Sequence, residues 1–141
     1  MTIIELMIAV LLLLPLLTVV MQNFITCMHL NASAEGTSKA IWQERTLFAT
    51  IEKTPFDDIY NTYNNKTFPL VGLNGYMVTY VTQTDADLLT VHISAAWKDL
   101  RGRCNGEDVD VNGQIDAGED KNGNGRLDSN VGFSTFIYDK G

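Results

Sequence analysis

MTIIELMIAVLLLLPLLTVVM (residues 1–21) decides the fold, because it is too apolar to belong to a water-facing element and carries one acid, Glu5. Leu6 to Met21 is apolar apart from Pro15 and Thr18, about the length at which a helix begins to cross hydrocarbon. A carboxylate in such a stretch must be protonated, near water or matched by a cation. Apart from the amine of residue 1, the first basic group is Lys39, many helical turns away. A partner from another molecule is the expectation. A secretory signal peptide would carry a positive n-region, and Met1 to Glu5 holds neither Lys nor Arg. A plain single-span anchor leaves Glu5 unexplained.

Working outward, no strong stop appears from Ile3 to about Lys53 except Pro15 and Gly36, which predicts a rod on the order of 75 Å. Pro15 is expected to kink or locally unwind it, and Thr54-Pro55 to end it. Beyond Asn31 the pattern is amphipathic: Ile41, Phe48 and Ile51, widened by Trp42 and Leu47, lie opposite Lys39, Gln43, Arg45 and Glu52. That stripe should bury against a sheet, with its aromatics in the core. Residues 56–66 read as a polar connecting loop. Asn31-Ala32-Ser33 and Asn65-Lys66-Thr67 fit a glycosylation pattern of low specificity and are taken as unmodified.

Strand signals follow at 75–82 and 88–97, joined by a turn at 84–87, and again at 131–138. The fold class is therefore α+β, a long N-terminal helix on a small antiparallel sheet. Residues 1–30 form the hydrophobic helix half, and residues 31–141 the globular domain with acidic loops at about 104–130. The chain of 141 residues suits one modest domain plus this appendage. Its net charge of −7 argues against a phosphate-binding nucleic-acid face.

Asp108-Val109-Asp110-Val111-Asn112-Gly113-Gln114-Ile115-Asp116-Ala117-Gly118-Glu119 fits D-x-[DN]-x-[DN]-G-x₅-E at every defined position. A shift of twelve residues aligns Asp108 with Asp120, Asp110 with Asn122, Asn112 with Asn124, Gly113 with Gly125 and Asp116 with Asp128. The second copy departs at its twelfth place, where Val131 cannot coordinate. Calcium takes about six to eight oxygens, and acids at alternate places around a glycine turn converge to supply them. The assigned ligands are Asp108, Asp110, Asn112, the Gln114 carbonyl, Asp116 directly or through water, and Glu119, then Asp120, Asn122, Asn124, the Arg126 carbonyl and Asp128. One or two structural calcium ions are expected, supplying much of the order of loops with few apolar residues. The flanking helices of an EF-hand are absent.

Cys27 and Cys104 are the only cysteines. An intrachain bridge, a link to a neighbour and two free thiols all remain open. His29 and His92 are solitary and read as structural, and no phosphate-cradling glycine loop is present, so no enzyme is expected.

Thr2-Ile3-Ile4-Glu5-Leu6-Met7-Ile8-Ala9 resembles the mature N-terminus of type IV pilins and of type II secretion pseudopilins, with Met1 where phenylalanine is commonest. The resemblance implies a processed chain numbered from its mature terminus, whose leader a prepilin peptidase removes before methylating residue 1. It implies an inner-membrane precursor, handling by pilus or secretion assembly machinery, and a homo-oligomeric helical filament outside the cell or a periplasmic pseudopilus. The Met1 amine of one copy would then pair with Glu5 of another. A second, weaker resemblance to minor pilins rests on residues 91–99 and 133–138. The leading expectation is a filament subunit. The alternatives are a pseudopilin or minor tip subunit, and a membrane-anchored calcium-binding domain.

Overall fold

The computed structural model describes residues 2–139. The fold is α+β, a long N-terminal helix and a five-stranded antiparallel sheet. The chain divides into two compact units, residues 1–34 and 35–141.

Helix α1, Ile3–Ile51, belongs to both units. It is not unwound at Pro15, one of the two outcomes expected there. Proline withdraws a single amide from the ladder, and the flanking turns, rich in leucine, hold helical geometry on either side. Every side chain described from Thr2 to Met28 is exposed. The helix closes with the Thr54 amide donating to the Ile51 carbonyl at 3.0 Å, ahead of Pro55.

Residues 56–66 are not a loop. Phe56–Tyr63 forms a short helix, α2, with Asp57 and Asp58 in its first turn, where carboxylates favour the positive helix end. Phe56, Ile59 and Tyr63 share one face, and Ile59 and Tyr63 are buried. Strand β1, Lys66–Pro69, then pairs with β2, Asn74–Asp85. The predicted hairpin is present, with β2 against β3, Leu88–Lys98. Both strands run further than their alternating cores suggest. The other edge of β3 is shared. Its end pairs with β4, Cys104–Asn105, and its Leu88–Ser94 stretch with β5, Gly132–Tyr138.

Strand β3 is covered on both sides. Val91, Ile93, Ala95 and Trp97 join Ala40, Ile51 and Ile59 in the main core, while Val78 and Tyr80 of β2 pack on the opposite face against Leu127 from the β4–β5 insertion. The helical face that meets the sheet is rotated from the expected stripe. Gly36, Ala40, Glu44 and Ile51 are buried and Leu47 and Phe48 partly so, whereas Trp42 is 68 % exposed. Small residues decide this: a Cβ on Gly36 would lie 3.1 Å from Trp97 Nε1, so the helix approaches closely only along the Gly36–Ala40 line. The core tryptophan is Trp97, not Trp42.

Candidate metal centre

The insertion leaves the sheet after β4 and returns at β5, and its first loop folds around Asp108. That carboxylate is 1 % exposed. Its Oδ1 accepts the Asn112 amide at 3.0 Å and its Oδ2 the Gly113 amide at 2.8 Å. Asp110 Oδ1 accepts the same Asn112 amide at 3.2 Å, and Asn112 Oδ1 accepts that of Gln114 at 2.6 Å. Alternate side chains thus turn inward while the backbone wraps them. The turn needs Gly113, whose φ is +74° and whose missing Cβ would stand 2.3 Å from Thr67 Cγ2. Thr67 Oγ1 in turn donates to the Gly113 carbonyl at 3.1 Å, docking the loop on β1.

Glu119 closes the loop. Its Oε1 accepts the Val109 amide at 2.8 Å and its Oε2 the Asp116 amide at 3.1 Å. One carboxylate oxygen each from Asp108, Asp110 and Glu119 lies within 4.8 Å of the others. Asp108 and Glu119 are buried, and no ion pair joins any of the three to a basic group among the described residues. Burial pushes the Asp108 carboxyl up from its ordinary range, although the amides of Gly113, Asn112 and Val111 oppose this. A cation would supply the missing countercharge, so this buried acidic cluster could hold a metal ion, and its all-oxygen donor set suits a hard one. Asp116 Oδ2 accepts from Asn112 Nδ2 at 2.7 Å, beside the cluster. Of Gln114 the structure fixes the amide, bonded as above.

The second loop repeats the backbone-wrapping bonds of the first. Asp120 Oδ1 accepts the Asn124 amide at 3.0 Å, Asp120 Oδ2 that of Gly125 at 2.8 Å, and Asn124 Oδ1 that of Arg126 at 2.9 Å. Asn122 Oδ1 also accepts from Asn124, and Asp128 Oδ2 accepts from the side-chain amides of both Asn122 and Asn124. Gly125 has φ +73°. The Arg126 guanidinium turns to the sheet, 3.3 Å from Thr82 Oγ1 and 6.0 Å over the Tyr80 ring. No trio of carboxylates converges here as in the first loop, among the described residues. The eighth places also differ. Ile115 is 43 % exposed, whereas Leu127 is buried and its amide donates to the Tyr80 hydroxyl at 2.9 Å.

Glu107 is a residue that motif reading passed over. Its Oε2 accepts the Asp128 amide at 3.1 Å, as Glu119 Oε2 accepts that of Asp116, and its own amide donates to the Asp128 carbonyl at 2.8 Å. Twelve residues separate Glu107 from Glu119. In its bond to the Asp128 amide Glu107 stands where an acid at position 131 would. That spacing was the available signal.

Other expectations change. His92 is not solitary: Nδ1 lies 2.6 Å from Ser134 Oγ and Nε2 3.4 Å from Asp128 Oδ1. Desolvation lowers its proton affinity, against the pull of Asp128. His29 is half-buried on α1. No bridge joins the two cysteines within the chain. Cys27 is exposed, and Cys104 Sγ donates to the Asp108 carbonyl at 2.7 Å.

At the other end of the chain, Glu5 has a local partner. Its Oε2 accepts the Thr2 amide at 2.9 Å and its own amide reaches Thr2 Oγ1 at 3.4 Å, a capping box that starts α1. The Thr-x-x-Glu spacing was legible and unread. Met1, the other half of the expected assembly pair, lies outside the described residues. The helix beyond is long and apolar enough to anchor in a membrane. The chain matches none of the family models, curated proteins or solved structures with which it was compared.

Proposed function

We propose that this chain is a structural subunit of an extracellular type IV pilus-like filament, without enzymatic activity, that passes through the inner membrane before assembly. The supporting observation is the surface of α1: from Ile3 to Met28 its apolar side chains are exposed on a continuous helix. Such a surface needs lipid first and other helices afterwards. A bundle of copies meets that need and removes the helix from lipid without exposing it to water. Within the bundle, Glu5 keeps its hydrogen bond from Thr2 but not a countercharge, and the residue-1 amine of a neighbouring copy supplies one. Losing one partner of a buried pair costs about 3–5 kcal/mol. Prepilin peptidase and the assembly machinery are the implied partners.

In this reading the metal is calcium, held by Asp108, Asp110, Asn112, Asp116 and Glu119 with the Gln114 carbonyl. The second loop offers Asp120, Asn122, Asn124, Asp128 and the Arg126 carbonyl, with Glu107 holding the Asp128 backbone. Calcium when bound neutralises the inward acids and locks an insertion that otherwise buries few apolar side chains. Its task is structural, on the outward sheet domain.

The capping box favours a second reading, a membrane-anchored calcium-binding domain, because it gives Glu5 a role within one copy. Electron microscopy of material sheared from cells separates the two. Long uniform fibres uphold the filament reading and short periplasmic stubs move it to a pseudopilus, whereas protein found only as membrane-bound monomers overturns it.

A further inference from the structure

Glu44 is the buried acid that neither the filament nor the metal uses. It sits on the α1 face that meets the sheet, one turn beyond Ala40, and is 2 % exposed. Its Oε1 has no hydrogen-bond partner among the described residues. Arg45 is adjacent in sequence, but consecutive helical residues do not face each other, and no ion pair joins the two within 4.0 Å. A buried carboxylate left in this way is costly unless something completes it.

Beside Glu44 lies a pocket of about 480 Å³, between α1 and the chain entering β5. Ile41 and Phe48 line it from the helix, Val131 and Phe133 from the strand. The volume falls in the range of small-molecule sites, and the lining has their usual character, apolar walls with a few polar groups, here Thr37, Glu44, Arg45 and Asn130. Glu44 and Arg45 are the ionisable residues among those that line it; the β5 side contributes none. A neutral apolar guest would fill the walls and leave Glu44 uncompleted. An anion would be repelled by ionised Glu44, and Arg45, the other charged residue of the lining, is exposed to solvent.

We propose that this pocket binds a primary ammonium on a short apolar body, the charge meeting Glu44 and the body lying among Ile41, Phe48, Val131 and Phe133. The site requires neither calcium nor polymerisation, so it stands or falls apart from the filament reading. Burial raises the Glu44 carboxyl to about 7, which couples binding to pH. The ionised form is the competent one, and apparent affinity scales with its fraction.

The test uses the detergent-dispersed full chain, titrated with n-butylammonium and with 1-butanol as the neutral match. Binding is followed at the amide resonances of Phe48, Val131 and Phe133. The expected result is butylammonium at least about tenfold tighter than butanol at pH 8, with about a tenfold loss on going to pH 6. E44Q should bind both equally, and its retained butanol binding shows the pocket intact. Sedimentation over a range of protein concentrations identifies the natural source. A binding constant independent of protein concentration marks a free amine, whereas competition with self-association marks a lysine of another copy in the same site. Equal affinity of the wild-type chain for the two guests, butylammonium binding unchanged in E44Q, or no binding of either overturns the proposal.

Discussion

Single residues in this chain carry costs whose signs can be worked out. Glu44 has its carboxyl raised from an ordinary 4.5 to about 7 by desolvation. An acid whose folded value is raised favours the native state fully below about pH 4.5, and that contribution is lost as pH climbs to about 7. The loss is on the order of 3 kcal/mol. Gln at this position does not titrate, so the stability of E44Q relative to wild type should rise across pH 4.5–7 and then stay level. Thermal denaturation at closely spaced pH values reads this difference, and a flat difference would remove the desolvation argument. The sixth-place glycines make a second comparison. Gly113 and Gly125 share a left-handed φ, but an added Cβ meets Thr67 Cγ2 at 2.3 Å in one and nothing within 4 Å in the other. G125A should therefore cost about 1–2 kcal/mol, the left-handed penalty alone. G113A should cost more, and in a T67S background part of the excess should return, because serine keeps the hydroxyl and removes the methyl. Equal losses for the two alanines in denaturant melts would contradict the close approach.

At the scale of elements, the two loops behave as one twelve-residue unit used twice, differing in where the closing glutamate comes from. With calcium as the proposed ion, E119Q should abolish the tighter of two binding events in calorimetry. E107Q should weaken the other by about tenfold or more, the scale of an outer partner's loss. A wild-type isotherm with a single event, unaffected by E107Q, would confine the metal to the first loop. These elements were unevenly legible. The β2–β3 hairpin could be read because alternation in both strands is strong and the intervening residues are turn formers. Helix α2 was hidden: Asp57, Asp58, Asn61 and Asn64 look like loop chemistry, and its three core-facing residues, Phe56, Ile59 and Tyr63, are too few to stand out as a period. The rotation of the α1 stripe escaped for another reason. Hydrophobicity points to Trp42, but closeness of approach is set by Gly36 and Ala40, and small residues carry little signal until the Trp97 ring that fills the space is known. Glu107 was missed because a motif is read forward from its first aspartate, while its carboxylate reaches Asp128 across the repeat.

For the whole molecule the question returns to Glu5, which now has two candidate roles that substitutions can separate. In a capping box the side chain needs only an acceptor for the Thr2 amide, and glutamine provides one as glutamate does. In an intersubunit pair the carboxylate must be charged, and glutamine fails. E5A removes both. If capping is the whole role, E5Q should assemble, or anchor, like the wild type, while E5A suffers a loss of about 1 kcal/mol confined to the first turn of the helix. If the pair operates, E5Q and E5A should lose fibres alike, because the cost of an unmatched amine in the bundle, about 3–5 kcal/mol per copy, exceeds the cap by severalfold and recurs at every subunit added. E5D should be intermediate, since it keeps the charge but shortens the reach. Fibre yield in the shear fraction, normalised to membrane-bound protein, measures all three. Wild-type yield from E5Q would end the charge-pair argument and leave the apolar helix surface alone to drive assembly.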